Sequence, residues 1–179
     1  MNRTLRLFLA LSILFVALPL SASDLALTNT PAHIYFSPNG GATDAIIQQI
    51  DAAKTDILVQ AYSFTSAPIA KALVDAFKRG VKVEAILDKS QRSEKYTSAA
   101  FLANSGIPTY IDDKHAIAHN KIMVIDQETV ITGSFNFTKA AEEKNAENLV
   151  IIRSKEFAKP YLENWQRHVG HSNRYETRY

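Results

Sequence analysis

The stretch from His119 to Asn136, HNKIMVIDQETVITGSFN, constrains the fold more than any other part of the chain. Two apolar runs, Ile122–Ile125 and Val130–Ile131, flank the polar Asp126-Gln127-Glu128, and together they read as the two strands of a hairpin. Alternate side chains of a strand face opposite ways, so His119 and Lys121 share a face, and so do Ser134 and Asn136. A turn centred between Gln127 and Glu128 sets Lys121 opposite Ser134 and His119 opposite Asn136. Opposed side chains on one face lie about 5 Å apart, so this register gathers four polar groups into one cluster. A slip of one residue would send the two pairs to opposite faces. Gln-Glu is a poor two-residue turn, so a longer loop about the same centre is expected.

Four such groups suit a phosphodiester. A neutral imidazole at His119 can attack phosphorus, splitting one difficult displacement into two easier steps. Lys121 and Asn136 can hold non-bridging oxygens and Ser134 can donate to them, the charge stabilisation on which phosphoryl transfer chiefly depends. One imidazole cannot be neutral nucleophile and protonated acid in the same step, so a second is needed at the leaving oxygen. Taken singly these residues have plainer readings: a solvated histidine, and turn residues after Gly133. Their joint spacing argues for chemistry. Asp126 points away from His119 by the same alternation and, with Gly133, reads as structural.

His119, Lys121, Asp126, Gly133, Ser134 and Asn136 spell H-x-K-x₄-D-x₆-G-S-x-N with every position filled. Six specified positions at roughly one in twenty each coincide by chance on the order of once in 10⁸ starting points. The stretch resembles the HKD signature of the phospholipase D superfamily, whose members hydrolyse phosphodiesters through a covalent phosphohistidine. The segment AYSFTSAPIAKALVDAFKRGVKVEAILDKSQ, Ala61 to Gln91, is similar to the corresponding part of small secreted nucleases of that superfamily. The resemblance covers essentially the whole chain after residue 23. It implies one motif per chain and a homodimer whose two-fold axis brings His119 and its mate to opposite sides of one phosphate. It implies no metal and no other cofactor. By its distance from the motif, Glu147 resembles the glutamate that orients the catalytic histidine in those nucleases; a carboxylate on the far imidazole nitrogen fixes the tautomer and stabilises the cation. The implied substrate is DNA or RNA, with phosphatidyl head groups or cardiolipin as the alternative and a non-catalytic binding module as the third reading.

Residues 1–23 place Arg3 and Arg6 before the apolar run Leu7–Leu18, then Pro19 and Ser21-Ala22-Ser23. This is the pattern of a secretory signal peptide, cleaved after Ser23, and it implies a periplasmic or secreted protein. The run is shorter than the roughly 20 residues needed to span a bilayer, and no later segment is apolar enough to do so. The chain has no cysteine, so in an oxidising compartment stability must come from the core. Losing Arg3 and Arg6 takes Lys+Arg from 20 to 18 against 18 Asp+Glu. A zero formal net charge excludes a generally basic nucleic-acid surface and leaves attraction for polyanions to local clusters.

Residues 24–179 are one domain by size. Strand patterns over 32–36, 55–62, 81–87, 107–111 and 146–153 alternate with helical patterns over 43–54, 66–79, 96–105 and 154–170. The alternation predicts an α/β fold with a mixed, largely parallel sheet flanked by helices. Lys89, Arg92 and Lys95 follow the third strand, where open α/β sheets bind ligands; Lys89 and Arg92 are candidate phosphate contacts, against the plainer reading of a solvated helix start. His115 stands four residues before His119. On a helix that spacing could hold a metal, but here it spans a loop and a strand, so no metal is expected and His115 is a candidate substrate contact.

Overall fold

Short runs of Ile, Val and Leu become the centre of one eight-stranded sheet. In the computed structural model, which describes residues 24–93 and 97–176, the strands are β1 (Ala32–Ser37), β2 (Asp56–Ala61), β3 (Lys82–Asp88), β4 (Thr109–Asp112), β5 (Lys121–Ile125), β6 (Thr129–Gly133), β7 (Glu147–Arg153) and β8 (Asn173–Arg174). The helices are α1 (Ala42–Ala52), α2 (Ala67–Lys78), α3 (Ala99–Asn104), α4 (Lys139–Glu143) and α5 (Lys155–Val169). The leader expected over residues 1–23 and Lys95 lie outside the described residues. No helix among those described is long and apolar enough to cross a membrane.

Strand order is β1-β7-β6-β5-β2-β3-β4-β8. The sheet is mixed, as expected, and flanked by helices, but it is parallel only where β3 lies between β2 and β4. The other pairings, β1 with β7, β7 with β6, β6 with β5, β5 with β2 and β4 with β8, are antiparallel. The expectation of a largely parallel sheet fails for a physical reason: α2 and α3 are crossover helices, whereas β5 and β6 are joined by a tight turn. Between β6 and β7 the single turn of α4 is too short to carry the chain back along a strand.

The two faces divide the core. Ile57, Val59, Met123, Ile125 and Ile131 pack with Ile46 and Ile50 of α1, Ile69 and Leu73 of α2 and Leu102 of α3. Val124 and Val130 point the other way and pack against Ala158, Phe157, Tyr161 and Leu162 of α5. Trp165, nearly buried, donates its indole N–H to the Val59 carbonyl at 3.1 Å. Both faces of the central strands are thus covered, which is why their sequences run apolar without alternation.

The hairpin register differs from the expected one. Met123 pairs with Ile131, Val124 with Val130 and Ile125 with Thr129, so the turn is centred on Gln127 and Lys121 falls level with Gly133 instead of Ser134. Asp126 and Gln127 adopt left-handed backbone (φ 52 and 57) and the Glu128 N–H returns to the Ile125 carbonyl at 3.1 Å. The one-residue slip is compensated beyond Gly133. Both Ser134 N–H and Phe135 N–H meet the one Asn148 carbonyl, at 3.0 and 3.3 Å, a bulge that resets which way later side chains point. Phe135 and Phe137 then enter the core.

Candidate active site

β2, β5, β6 and β7 bring their polar residues to one end of the sheet. Ala61, the last residue of β2, pairs with Lys121, the first of β5; Gly133, the last of β6, pairs with Leu149 near the start of β7. Tyr62, His119, Lys121, Ser134, Asn136 and Glu147 therefore cluster beyond the carboxyl ends of β2 and β6. Gly133 is required here: its φ is +148 and an added Cβ would collide with the Asn148 carbonyl.

His119 lies just ahead of β5 rather than on it, and it is exposed. Its ring packs on Tyr62, with centroids 4.5 Å apart and planes at 54°. Among the described residues neither ring nitrogen has a hydrogen-bond partner. The backbone beneath is held instead: Tyr62 N–H donates to the Asn120 carbonyl at 2.8 Å and Gln60 Nε2 donates to Asn120 Oδ1 at 3.1 Å. A fixed main chain with a free imidazole is what a nucleophile needs.

Lys121 is only 7% exposed. Its Nζ donates to the His119 carbonyl at 3.1 Å and sits 5.0 Å from the Tyr62 ring centroid. Burial lowers its pKa below the ordinary lysine value, and the charge of Glu147 works in the opposite direction. A poorly hydrated ammonium attracts a phosphate oxygen more strongly than one in bulk water.

Ser134 Oγ accepts the Asn148 N–H at 3.0 Å, which leaves the hydroxyl proton to be donated. The Oδ1 of Asn136 is buried without a hydrogen-bond partner. The segment around it is pinned to the end of β2: Thr65 N–H and Ser66 N–H donate to the Phe137 carbonyl at 3.0 and 2.9 Å, and Phe64 meets Phe137 edge to face.

Glu147 joins the site through Lys121 rather than through His119. Its carboxylate accepts from Asn145 Nδ2 at 3.2 Å and its N–H donates to Ser37 Oγ at 3.2 Å; no hydrogen bond ties it to the imidazole within the chain among the described residues. Asp126 sits at the opposite end of the sheet. Its carboxylate accepts from Lys54 N–H at 3.0 Å and Thr55 N–H at 2.7 Å, joining the β5–β6 turn to the α1–β2 loop.

The three outlying candidates are engaged elsewhere. Lys89 Nζ donates to the His115 carbonyl at 3.3 Å, and Arg92 pairs with Asp113 at 3.3 Å, so both brace the loop before His119 rather than face a phosphate. His115 does not reach toward His119. Its Nδ1 contacts Asp112 Oδ2 at 3.0 Å and its ring stacks on His168 at 4.8 Å, with His171 at 5.2 Å. Asp112 is fully buried; burial raises its pKa, but hydrogen bonds from His168, His115 and His171 outweigh that and hold it at about 2.

Sequence reading passed over Gln60 and Tyr62. Gln60 gave a signal, being the one polar residue inside the run Ile57–Ala61 and 2% exposed. It also passed over Asp112, His168 and His171, whose partnership depends on β8 folding back onto β4.

An exposed imidazole and a buried ammonium, with a hydroxyl and an amide at the same end of a mixed sheet, are groups that can support phosphoryl transfer. The family model of the cardiolipin synthase, PLD-like domain matches residues 46–169. The chain belongs to the phospholipase D superfamily of phosphodiesterases. It is 47% identical over 130 residues to a phospholipase D of Rickettsia felis, an alignment that covers 73% of this chain and 65% of that protein. The chain thus spans less than two thirds of that relative's length. Its fold is similar to that of Nuc, a phospholipase D family member from Salmonella typhimurium, with a TM-score of 0.80 and 42% identity over 83% of this chain and 99% of the other. A likeness of fold extends to NucT from Helicobacter pylori, with a TM-score of 0.75 and 23% identity over 82% of this chain and 99% of that one.

Proposed function

We propose that the protein is a metal-independent phosphodiesterase that cleaves DNA or RNA without sequence preference, through a phosphohistidine at a site shared by two chains. The observation that carries this reading is the exposed His119 ring, whose nitrogens have no hydrogen-bond partner among the described residues, beside the buried Lys121. One His119 attacks phosphorus and forms the nitrogen–phosphorus bond as the ester oxygen leaves. The partner's His119, protonated, gives that oxygen its proton. Now neutral, it takes a proton from water, which attacks phosphorus, breaks the bond to the first imidazole and leaves a phosphomonoester. Lys121, Ser134 and Asn136 hold the non-bridging oxygens throughout. No step calls on a metal.

The homodimer is supported by β1. On this edge strand Ile34 and Phe36 are 62% and 67% exposed, and Phe36 pairs with Asn148 beside the site while Ser37 pairs with Glu147. A bare apolar edge next to a half-built site suits a second copy of the chain. Export by way of residues 1–23 belongs to the same reading.

Resemblance to small secreted nucleases favours nucleic acid. A lipid reading, cleavage of phosphatidyl head groups or cardiolipin, draws support from the family description and from the name of the Rickettsia felis relative. The deciding experiment is plasmid degradation by the chain from Asp24 onward in excess EDTA, with His119→Ala protein as control. Cleavage by the parent alone is the expected result. Intact plasmid with release of head groups from phosphatidylcholine or cardiolipin vesicles would replace the nucleic-acid reading with the lipid one, and turnover by His119→Ala would end both. A monomer in light scattering with full activity would remove the shared site.

A further inference from the structure

Three of the five histidines converge away from the active site. Asp112, His115, His168 and His171 each offer one ligating atom, and those atoms lie within 4.8 Å of one another. Asp112 Oδ2 is 3.0 Å from His115 Nδ1, 2.7 Å from His168 Nδ1 and 3.3 Å from His171 Nε2. Its other oxygen accepts the Lys114 N–H at 3.1 Å and also lies 3.1 Å from His115 Nδ1, so the carboxylate is fixed against the cluster.

From this geometry we infer that Asp112, His115, His168 and His171 form a structural binding site for a zinc-class divalent cation, separate from the phosphodiester site. Zinc takes imidazole nitrogen and carboxylate oxygen at about 2.0–2.1 Å in a tetrahedron, which separates neighbouring ligand atoms by about 3.3 Å. The three Asp112–histidine separations lie within about 0.6 Å of that value, and the widest separation in the set, up to 4.8 Å, reaches it by side-chain movements of about 1.5 Å. The ligands come as two short pairs, Asp-x-x-His and His-x-x-His, the bipartite spacing in which a metal joins distant segments. The Lys114 N–H on the Asp112 carboxylate is an outer hydrogen bond of the kind that orients a metal ligand. Nitrogen and oxygen donors without thiolate suit zinc, and also nickel or copper, better than calcium or magnesium.

The site's place in the fold sets its role. His168 stands in the last turn of α5, His171 just past it, and β8 follows, pairing with β4 through Tyr110–Arg174 and Ile111–Asn173. In the order β5-β2-β3-β4, β4 is three strands from β5, about 14 Å at roughly 4.8 Å per strand. Four protein ligands leave no open position for a reacting water. The metal would clamp the C-terminal tail to the loop of residues 113–120 that carries His119. Asp112, His115 and His168 lie within the residues matched by the family model, 46–169, and His171 lies just beyond them.

The test uses tag-free protein from Asp24 onward, stripped with EDTA, dialysed and titrated with zinc sulfate by calorimetry, alongside thermal melts. Expected are one zinc per chain, micromolar affinity or tighter, and a melting temperature about 5–10 °C higher at a hundredfold excess over Kd. His171→Ala and the milder His115→Gln, at a side chain 45% exposed, should each weaken binding at least about tenfold and cut the rise by about half or more, while His119→Ala keeps both. Absence of stoichiometric binding and of any melting shift in the parent chain overturns the assignment. So does binding that survives in His171→Ala but is lost in His119→Ala, which would put the cation on the catalytic imidazole. Neither outcome touches the plasmid assay, so the two proposals fail separately.

Discussion

A single histidine and a group of three stand at the same end of one sheet, and they are finished differently. At Asp112 each imidazole has a partner: one buried carboxylate meets three rings within 3.3 Å. At His119 the ring touches Tyr62 and nothing in the described chain binds its nitrogens. Beside it, among the described residues, the Asn136 Oδ1 is buried without a hydrogen-bond partner and the Lys121 ammonium is buried with one hydrogen bond, to a main-chain oxygen, and the Tyr62 ring nearby. Buried polar groups cost free energy unless they are satisfied. A fold that completes one cluster and leaves the next one open has put its stability in the first and its chemistry in the second.

The largest expected effect breaks the two apart. His119→Ala should lower turnover on the order of 10⁴-fold or more, since it removes nucleophile and acid together. Because the ring has no hydrogen bond to lose among the described residues, the melting temperature should stay within a few degrees of the parent. Single-turnover kinetics and a thermal melt measure both. A protein that keeps its activity, or that loses its fold along with it, would erase the distinction.

The same contrast explains what could be read in advance. The proposed catalytic group is local: His119, Lys121, Ser134 and Asn136 lie on one hairpin and its exits, so their spacing could be read in the sequence. The register within that hairpin was not legible, because the left-handed Asp126-Gln127 turn and the bulge at Asn148 each shift it by one residue and nearly cancel. The Asp112 cluster is non-local. Two residues of β4 and its loop meet two at the end of α5 only after the tail pairs with β4, and nothing in a single sequence announces that meeting. Sheet direction failed in the same way. Crossover helices told of the parallel β2-β3-β4 segment, whereas the antiparallel half depends on short connections whose pairing partners are distant.

Gly133→Ala comes next in size. The new Cβ would meet the Asn148 carbonyl at a backbone φ of +148, so the bulge that aims Ser134 and Asn136 must open. A loss of about 2–3 kcal/mol is expected, measured by urea denaturation, with activity falling more steeply than stability. Unchanged stability would mean that the open end of the sheet tolerates a repair which the geometry forbids.

Glu147→Gln tests how the open site is wired. Lys121 must be protonated to hold a phosphate oxygen, so activity is lost as pH rises through its pKa. Burial already lowers that pKa and Glu147 opposes the shift; neutralising Glu147 should therefore move the alkaline limb of the pH–rate profile to lower pH and leave the acidic limb in place. The accompanying fall in rate should be on the order of tenfold, below the roughly 10²–10³ lost with a direct oxyanion donor. A displaced acidic limb with an unmoved alkaline one would instead assign Glu147 to the imidazole.

The smallest effect belongs to a second carboxylate that the chain itself satisfies, at the far end of the sheet. Burial raises the Asp126 pKa, but the N–H groups of Thr55 and Lys54, the Thr55 hydroxyl and the Asp56 N–H outweigh it, leaving the value below that of an ordinary aspartate. A carboxyl group with a lower pKa folded than unfolded stabilises fully above its unfolded pKa, and that contribution is lost as pH falls through the folded one. Asp126→Asn keeps the shape and removes the charge, so the variant should be less stable than the parent by roughly 1 kcal/mol at pH 7, a modest figure because the group is partly open to solvent. The gap should shrink below about pH 4, where an unfolded aspartate begins to protonate. Urea midpoints at pH 7 and at pH 3 measure it. A gap that did not change with pH would assign the stabilisation to the shape of the Asp126-Gln127 turn rather than to the carboxylate charge.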